Sequence, residues 1–152
     1  MEGFQVDKVD TIVREITVSS PIDRVWSALT VADQIAQWFG DSAEIDLRPG
    51  GSFKMGWSEH DSVTQGVVEQ VDYPNTFSYR WKAGSTEDGT MWTTKVTFTL
   101  EEADGMTTVK VVESGFSELP DELYVHTMRD NSSGWTTELA DLERHLEGAT
   151  AL

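Results

Sequence analysis

Between about Asp121 and Glu147 the side chains of Tyr124, Met128, Asn131, Trp135, Leu139, Leu142 and Leu146 fall within roughly 40° of one line at 100° per residue. This spacing predicts one long amphipathic helix, aromatic and partly polar in its first half and leucine-rich in its second. The stretch Asp130–Gly134 (DNSSG) is poor in helix formers, so a bend is expected there. A helix with one apolar stripe must bury it against another element. The chain before it has to supply that cover, and most of that chain reads in period two.

The segment from Val9 to Val18 is β-branched, with Ile12, Arg14, Ile16 and Val18 on one face, and reads as a first strand. Ser20 offers an N-cap to Pro21 at the first position of a short helix ending near Leu29. Thr30 is expected to cap a second helix, with Asp33 in its first turn, Val31, Ile35, Trp38 and Phe39 as its stripe and Gly40 as its stop. Strand-like segments follow. Ala43–Leu47 precedes the turn Arg48-Pro49-Gly50-Gly51. Ser52–Trp57 alternates with Phe53, Met55 and Trp57 on one face. Val63–Val71 leads to the turn Asp72-Tyr73-Pro74-Asn75, and Phe77, Tyr79 and Trp81 alternate after it. Ala83–Gly89 reads as a polar loop. Met91–Leu100 places Trp92, Thr94, Val96, Phe98 and Leu100 together, and Asp104-Gly105 signals a hairpin. Thr107, Val109, Val111 and Glu113 then share one face of the last strand, which ends near Gly115. The order is strand, two short helices, about six antiparallel strands and a long helix. It predicts an α+β fold with helices on one side of a curling sheet. No linker or repeat divides it, so one domain is expected over residues 7–147, with 1–6 and 148–152 as frayed ends.

Composition narrows the chemistry. The 152 residues include no cysteine, which excludes a disulfide framework, a thiolate zinc site and a cysteine nucleophile. Eleven basic against 27 acidic residues give a net charge of −16. A field of that sign repels a phosphate backbone and an anionic lipid surface, so neither nucleic acid nor membrane is an expected partner. The acids are spread along the chain, as on a solvated face. No stretch is apolar over the ~20 residues of a membrane span, and the N-terminus lacks the basic and apolar regions of a signal peptide. A soluble cytoplasmic protein is the expectation.

Several segments in order carry a resemblance: Pro21-x-x-x-Val25-Trp26, Trp38-Phe39, Arg48-Pro49-Gly50-Gly51-x-Phe53, Gly66-x-Val68-Glu69, then Pro74, Phe77 and Trp81. Thr94-x-Val96-x-Phe98, Glu113-Ser114-Gly115-Phe116 and Gly134-Trp135 with Leu139, Leu142 and Leu146 complete it. Together, over about residues 10–147, they resemble the START-like (SRPBCC) superfamily, in the branch similar to the C-terminal domain of the heat-shock-protein-90 ATPase activator. The resemblance implies a helix-grip fold, a curved antiparallel sheet wrapped on the C-terminal helix around an internal cavity. It also implies that related branches bind lipids, sterols or polyketides, and that a few are cyclases or aromatases.

Candidate ligand-binding residues follow from the faces just described. Trp38, Phe39, Phe53, Met55, Trp57, Tyr79, Trp81, Trp92 and Trp135 should point between sheet and helix. Aromatic rings ordinarily pack cores, yet so many, several with polar handles, suit a pocket for an apolar, ring-containing ligand. Arg14 and Glu113 face inward on strands that the resemblance makes neighbours. They are expected either to pair or to anchor a ligand through the guanidinium fork. Asn131 on the helical stripe needs hydrogen-bond partners, from its own helix or from a ligand, and Tyr124 and Met128 line the same wall. His60, His126 and His145 show no metal-ligand spacing, and no nucleophile motif, paired carboxylates or phosphate loop is present, so neither metal, cofactor nor catalytic residue is assigned.

Three readings stay open. The first is a module holding a small hydrophobic molecule. The second is a stress-related, co-chaperone-like domain whose acidic exterior meets a protein partner. The third is a cyclase- or aromatase-type enzyme using Glu113 or Tyr79. The sequence leaves a monomer and a homodimer joined by an edge strand as alternatives.

Overall fold

The computed structural model describes residues 8–60 and 62–150. Residues 1–6, where the sequence predicts a frayed end, lie outside the described residues, as do 151 and 152.

β1 (Thr11–Val18) leads into α1 (Ile22–Thr30) and α2 (Ala32–Trp38); six strands follow, β2 (Ser42–Ile45), β3 (Ser52–Trp57), β4 (Ser62–Asp72), β5 (Thr76–Ser85), β6 (Met91–Ala103) and β7 (Met106–Ser114). The chain closes with α3 (Asp121–Thr150). All strands pair antiparallel in one sheet of order β1-β7-β6-β5-β4-β3-β2. The curved sheet, two early helices and long terminal helix are the α+β helix-grip arrangement that the sequence implies.

Period two decides what the sheet buries. On β7, Thr107, Val109, Val111 and Glu113 are all buried; on β6, Thr94, Val96, Phe98 and Leu100. The registers Ile12↔Glu113, Glu113↔Val96, Val96↔Tyr79 and Tyr79↔Val68 make one row across the sheet, so a single carboxyl sits in the middle of an otherwise apolar or aromatic line. Leu139, Leu142, Leu146 and Trp135 of α3 are buried against this face, and α3 packs on β1 and β5. Among the described residues no helix is long and apolar enough to cross a membrane.

Two turns show why their residues are there. Asp104 and Gly105 both take positive φ, 56° and 78°, which an Asp-Gly pair adopts at little cost and which fits the twist of the β6–β7 hairpin. Gly66 pairs with Trp81, and a Cβ there would lie 2.3 Å from the Arg80 carbonyl oxygen. Only the absence of a side chain lets β4 run this close to β5.

Some local expectations are corrected. Ser20 does not cap α1: Pro21 is the N-cap residue, and the Ile22 amide donates to Glu102 Oε2 at 3.2 Å. The Ser20 carbonyl instead accepts from Thr107 Oγ1 at 2.7 Å. Thr30 belongs to α1 and donates to the Trp26 carbonyl at 2.8 Å, so α2 begins after Val31 with no side-chain cap. β5 continues through a bulge between Lys82 and Gly84 to Ser85, where the sequence predicts a loop from Ala83. The 130–134 stretch stays helical within an unbroken α3; packing on the sheet overrides its weak propensity.

Candidate functional site

Glu113 is the polar centre of the interior. It is fully buried, and every described contact to it is a neutral donor. Trp135 Nε1 donates to Oε1 at 2.8 Å. Trp81 Nε1 and Thr94 Oγ1 donate to Oε2 at 3.1 and 2.5 Å. Asn131 Nδ2 spans both oxygens at 3.1 and 3.0 Å. A buried carboxyl this well supplied with donors avoids most of the desolvation penalty that an unpaired one would suffer. It also fixes the orientations of two indoles, one amide and one hydroxyl from three different elements, β5, β6 and α3 converging on β7.

The expected Arg14–Glu113 pair is not formed. Ile12, not Arg14, stands opposite Glu113; Arg14 stands opposite Val111. Its guanidinium turns to α3, donating to Thr136 Oγ1 at 3.1 Å and the Ser132 carbonyl at 3.2 Å, and to the Val13 carbonyl at 2.9 Å. Arg14 therefore ties β1 to α3.

Beside this hub, between the end of β5 and the first half of α3, lies a cavity of about 250 Å³. Its walls are Phe39, Trp57, Trp81 and Trp135, with Ala83, Thr64, Lys82, Asp130, Asn131, Gly134 and Glu138. Phe39 is the common neighbour of the rings, with centroids 5.6 Å from Trp57, 5.9 Å from Trp81 and 5.5 Å from Trp135. Trp81 and Trp135 stack at 5.9 Å. Gly134 keeps the helical wall bare: a Cβ there would meet nothing within 4 Å.

Glu138 gives the cavity its chemistry. Its Oε2 is sealed from solvent without a hydrogen-bond partner among the described residues. Burial, and secondarily the charge of Asp141, push its pKa up to about 7. Glu138 and Trp57 are shared with an adjoining, more polar cleft of about 540 Å³, which Asp41, Glu59, Asp141, Arg144 and His145 also line. There Arg144 is paired with Asp141, and His145 Nε2 meets Gln34 Oε1 at 2.7 Å.

The structure distributes the sequence candidates over three places. Phe39, Trp57, Trp81, Asn131 and Trp135 line the cavity, with Glu113 bonded behind three of them. Trp38, Phe53, Met55 and Tyr79 are packed around a void of only about 10 Å³, so the broad interior chamber expected between sheet and helix is filled by protein. Phe53 and Tyr79 stack at 4.3 Å; the Tyr79 hydroxyl has no partner among the described residues, and burial, with the charges of Glu113 and Glu138, raises its pKa far above the usual phenol range. Trp92, Tyr124 and Met128 are outside the cavity lining. Tyr124 accepts from the Val9 amide at 2.8 Å, and Met128 Sδ accepts from Ser132 Oγ at 3.7 Å. Sequence reasoning missed Glu138, although Asn131, Trp135 and Glu138 stand at i, i+4 and i+7 and so share a face. It missed Ala83 and Lys82 because the bulge that extends β5 has no clear sequence signal.

Residues 19–147 match the family described as Activator of Hsp90 ATPase homolog 1-like protein. The chain belongs to this family. The match agrees with the START-like resemblance carried by its motifs. Among solved structures, MLL2253 from Mesorhizobium loti superposes with a TM-score of 0.78 at 25% identity, over 90% of this chain and 96% of that one. DynU16, a protein of the dynemicin biosynthetic locus, gives 0.74 at 24% identity over 91% of this chain and 48% of its own, so this chain spans about half of that relative. The Aha1 dimer from Colwellia psychrerythraea gives 0.73 at 20% identity, over 91% and 97% of the two chains. The last two likenesses are of fold. No curated protein matches the chain.

Proposed function

We propose that this member of the Activator of Hsp90 ATPase homolog 1-like family binds a small, largely apolar, ring-containing molecule in the cavity between β5 and α3. The observation that carries this reading is a space of about 250 Å³ walled by Phe39, Trp57, Trp81 and Trp135, beside a core where Trp38, Phe53, Met55 and Tyr79 leave only about 10 Å³. A dry cavity of about 150 Å³ holds benzene, so this one suits a one- or two-ring compound and is too small for a sterol or a long lipid chain. The rings supply burial, while Asn131 and Glu138 orient a polar group. For a ligand of about ten heavy atoms at roughly 0.5–0.8 kcal/mol each, the dissociation constant falls between about 200 and 1 µM.

Calorimetric titration with 2-naphthol, alongside native mass spectrometry for a co-purified compound, tests the proposal. Saturable one-to-one binding that weakens in Trp57→Ala supports it. A flat titration of the folded wild type refutes it.

A second reading draws on the family itself and on the net charge of −16: the acidic exterior docks a basic surface of a chaperone-type protein partner. A charge-steered contact weakens with ionic strength. A pull-down at low and high salt that retains the same proteins, or none, rejects it.

A further inference from the structure

Resting on the ligand-binding reading above, we infer that the cavity selects a cationic ligand, an aromatic or alkyl amine or a quaternary ammonium, over a neutral molecule of the same shape. Three features converge on positive charge. The first is the wall itself. Trp57, Trp81 and Trp135 each lie 5.5–5.9 Å by centroid from Phe39, and all four rings line one space. Ring faces attract cations, tryptophan most strongly, and aromatic cages recognise ammonium groups this way.

The second feature is the setting of two of those indoles. Trp81 and Trp135 donate their N–H groups to the buried Glu113 carboxyl. A carboxylate accepting from an indole N–H pushes electron density into the ring, and a negative group behind the wall adds to the field felt in front of it. The third is Glu138, in the same wall with an oxygen that has no partner. An ammonium group that carries N–H bonds donates to such an oxygen, and a quaternary one meets it by charge alone. Asp130 also lines the space, and Lys82, the one basic residue of the lining, is exposed. A carboxylate-bearing ligand would meet Glu138 and Asp130 unfavourably, so the same wall selects against anions.

Phenyltrimethylammonium and its neutral isostere tert-butylbenzene are the probes, titrated against the intact chain by tryptophan fluorescence. The cation is expected to bind about 10-fold or more tighter. Glu138→Gln should lower the preference for the cation over tert-butylbenzene about 5- to 10-fold. Wild-type affinity for the cation should rise between pH 6 and 8 as Glu138 ionises. Around Glu138 stand Asp130, Asp141, Arg144 and His145 of α3, Lys82 of β5, and Asp41 and Glu59 across the adjoining cleft. His145 is held below its ordinary value by burial and by Arg24, so Glu138, with a pKa of about 7, is the group expected to titrate in that window. Equal or tighter binding of tert-butylbenzene, or a pH-independent cation affinity, overturns the inference and leaves the cavity reading standing. If neither probe binds, both fall.

Discussion

Replacing Glu113 by glutamine tests the hub with almost no change of shape. Both carboxyl oxygens accept: Oε1 from Trp135 and Asn131, Oε2 from Trp81, Thr94 and Asn131. Glutamine converts one acceptor into an NH₂ group. Asn131 can turn its amide and Thr94 its hydroxyl to accept from it, but an indole N–H can only donate. Whichever way the new amide is placed, Trp135 or Trp81 faces a donor. The substitution therefore removes at least one hydrogen bond to a charged group and leaves a buried N–H unpaired, together about 2–4 kcal/mol. For a chain of this size that corresponds to a fall of roughly 5–15 °C in Tm. Urea unfolding followed by tryptophan fluorescence, with an unchanged m-value, measures it. A Glu113→Gln protein within about 0.5 kcal/mol of wild type would show that the four donors do not depend on the carboxylate, and the account of the hub would be wrong.

Four further outcomes are expected. Glu138 holds its proton more firmly in the folded chain, with a pKa near 7 against an ordinary 4.5; its contribution to stability is complete below about pH 4.5 and is lost as pH rises through about 7. Glu138→Gln should flatten that part of the stability–pH curve and be the more stable protein at pH 8; parallel curves contradict the assignment. Trp57→Ala, at a half-buried wall position, should weaken 2-naphthol about 10-fold while costing less than the ~3–5 kcal/mol of a core Trp truncation, as calorimetry and urea unfolding will show. Tyr79→Phe deletes a buried hydroxyl that has no partner; stability should hold or rise by up to about 1 kcal/mol, and a loss greater than that in thermal melts rejects the reading. Gly66→Ala puts a Cβ 2.3 Å from the Arg80 carbonyl oxygen and should destabilise by about 2 kcal/mol or more while weakening ligand binding through Trp81, its cross-strand partner; wild-type melting and affinity together would count against it.

The sheet was readable because its buried face keeps strict period two: Thr107, Val109, Val111 and Glu113, or Trp92 to Leu100, can lie on one side only in extended chain. The stripe Leu139, Leu142, Leu146 gave α3 by the same logic at period 3.6. Helix ends were less legible. Ser20 and Thr30 are good capping residues, but each hydroxyl or carbonyl found a tertiary or intrahelical partner instead. The site was half legible. Faces identify which residues point inward, yet they do not show which inward residues fill space and which surround it. Phe53, Met55 and Tyr79 share a face with Trp57 and Trp81, and the first three close up while the last two border a cavity. That difference depends on where α2 and α3 sit over the sheet, which alternation cannot encode. Arg14 and Glu113 show the same limit. Both face inward, but a shift of two residues along β1 sends one to α3 and the other to the aromatic hub.

The indole N–H resonances of the six tryptophans report on the central claim residue by residue. Titrated with phenyltrimethylammonium, a nitrogen–proton correlation spectrum should show the signals of Trp57, Trp81 and Trp135 moving together and saturably, with Trp26 and Trp92 unmoved. Signals that stay fixed at millimolar probe, or that shift weakly and without saturation across all six, would mean that the space between β5 and α3 receives no ligand.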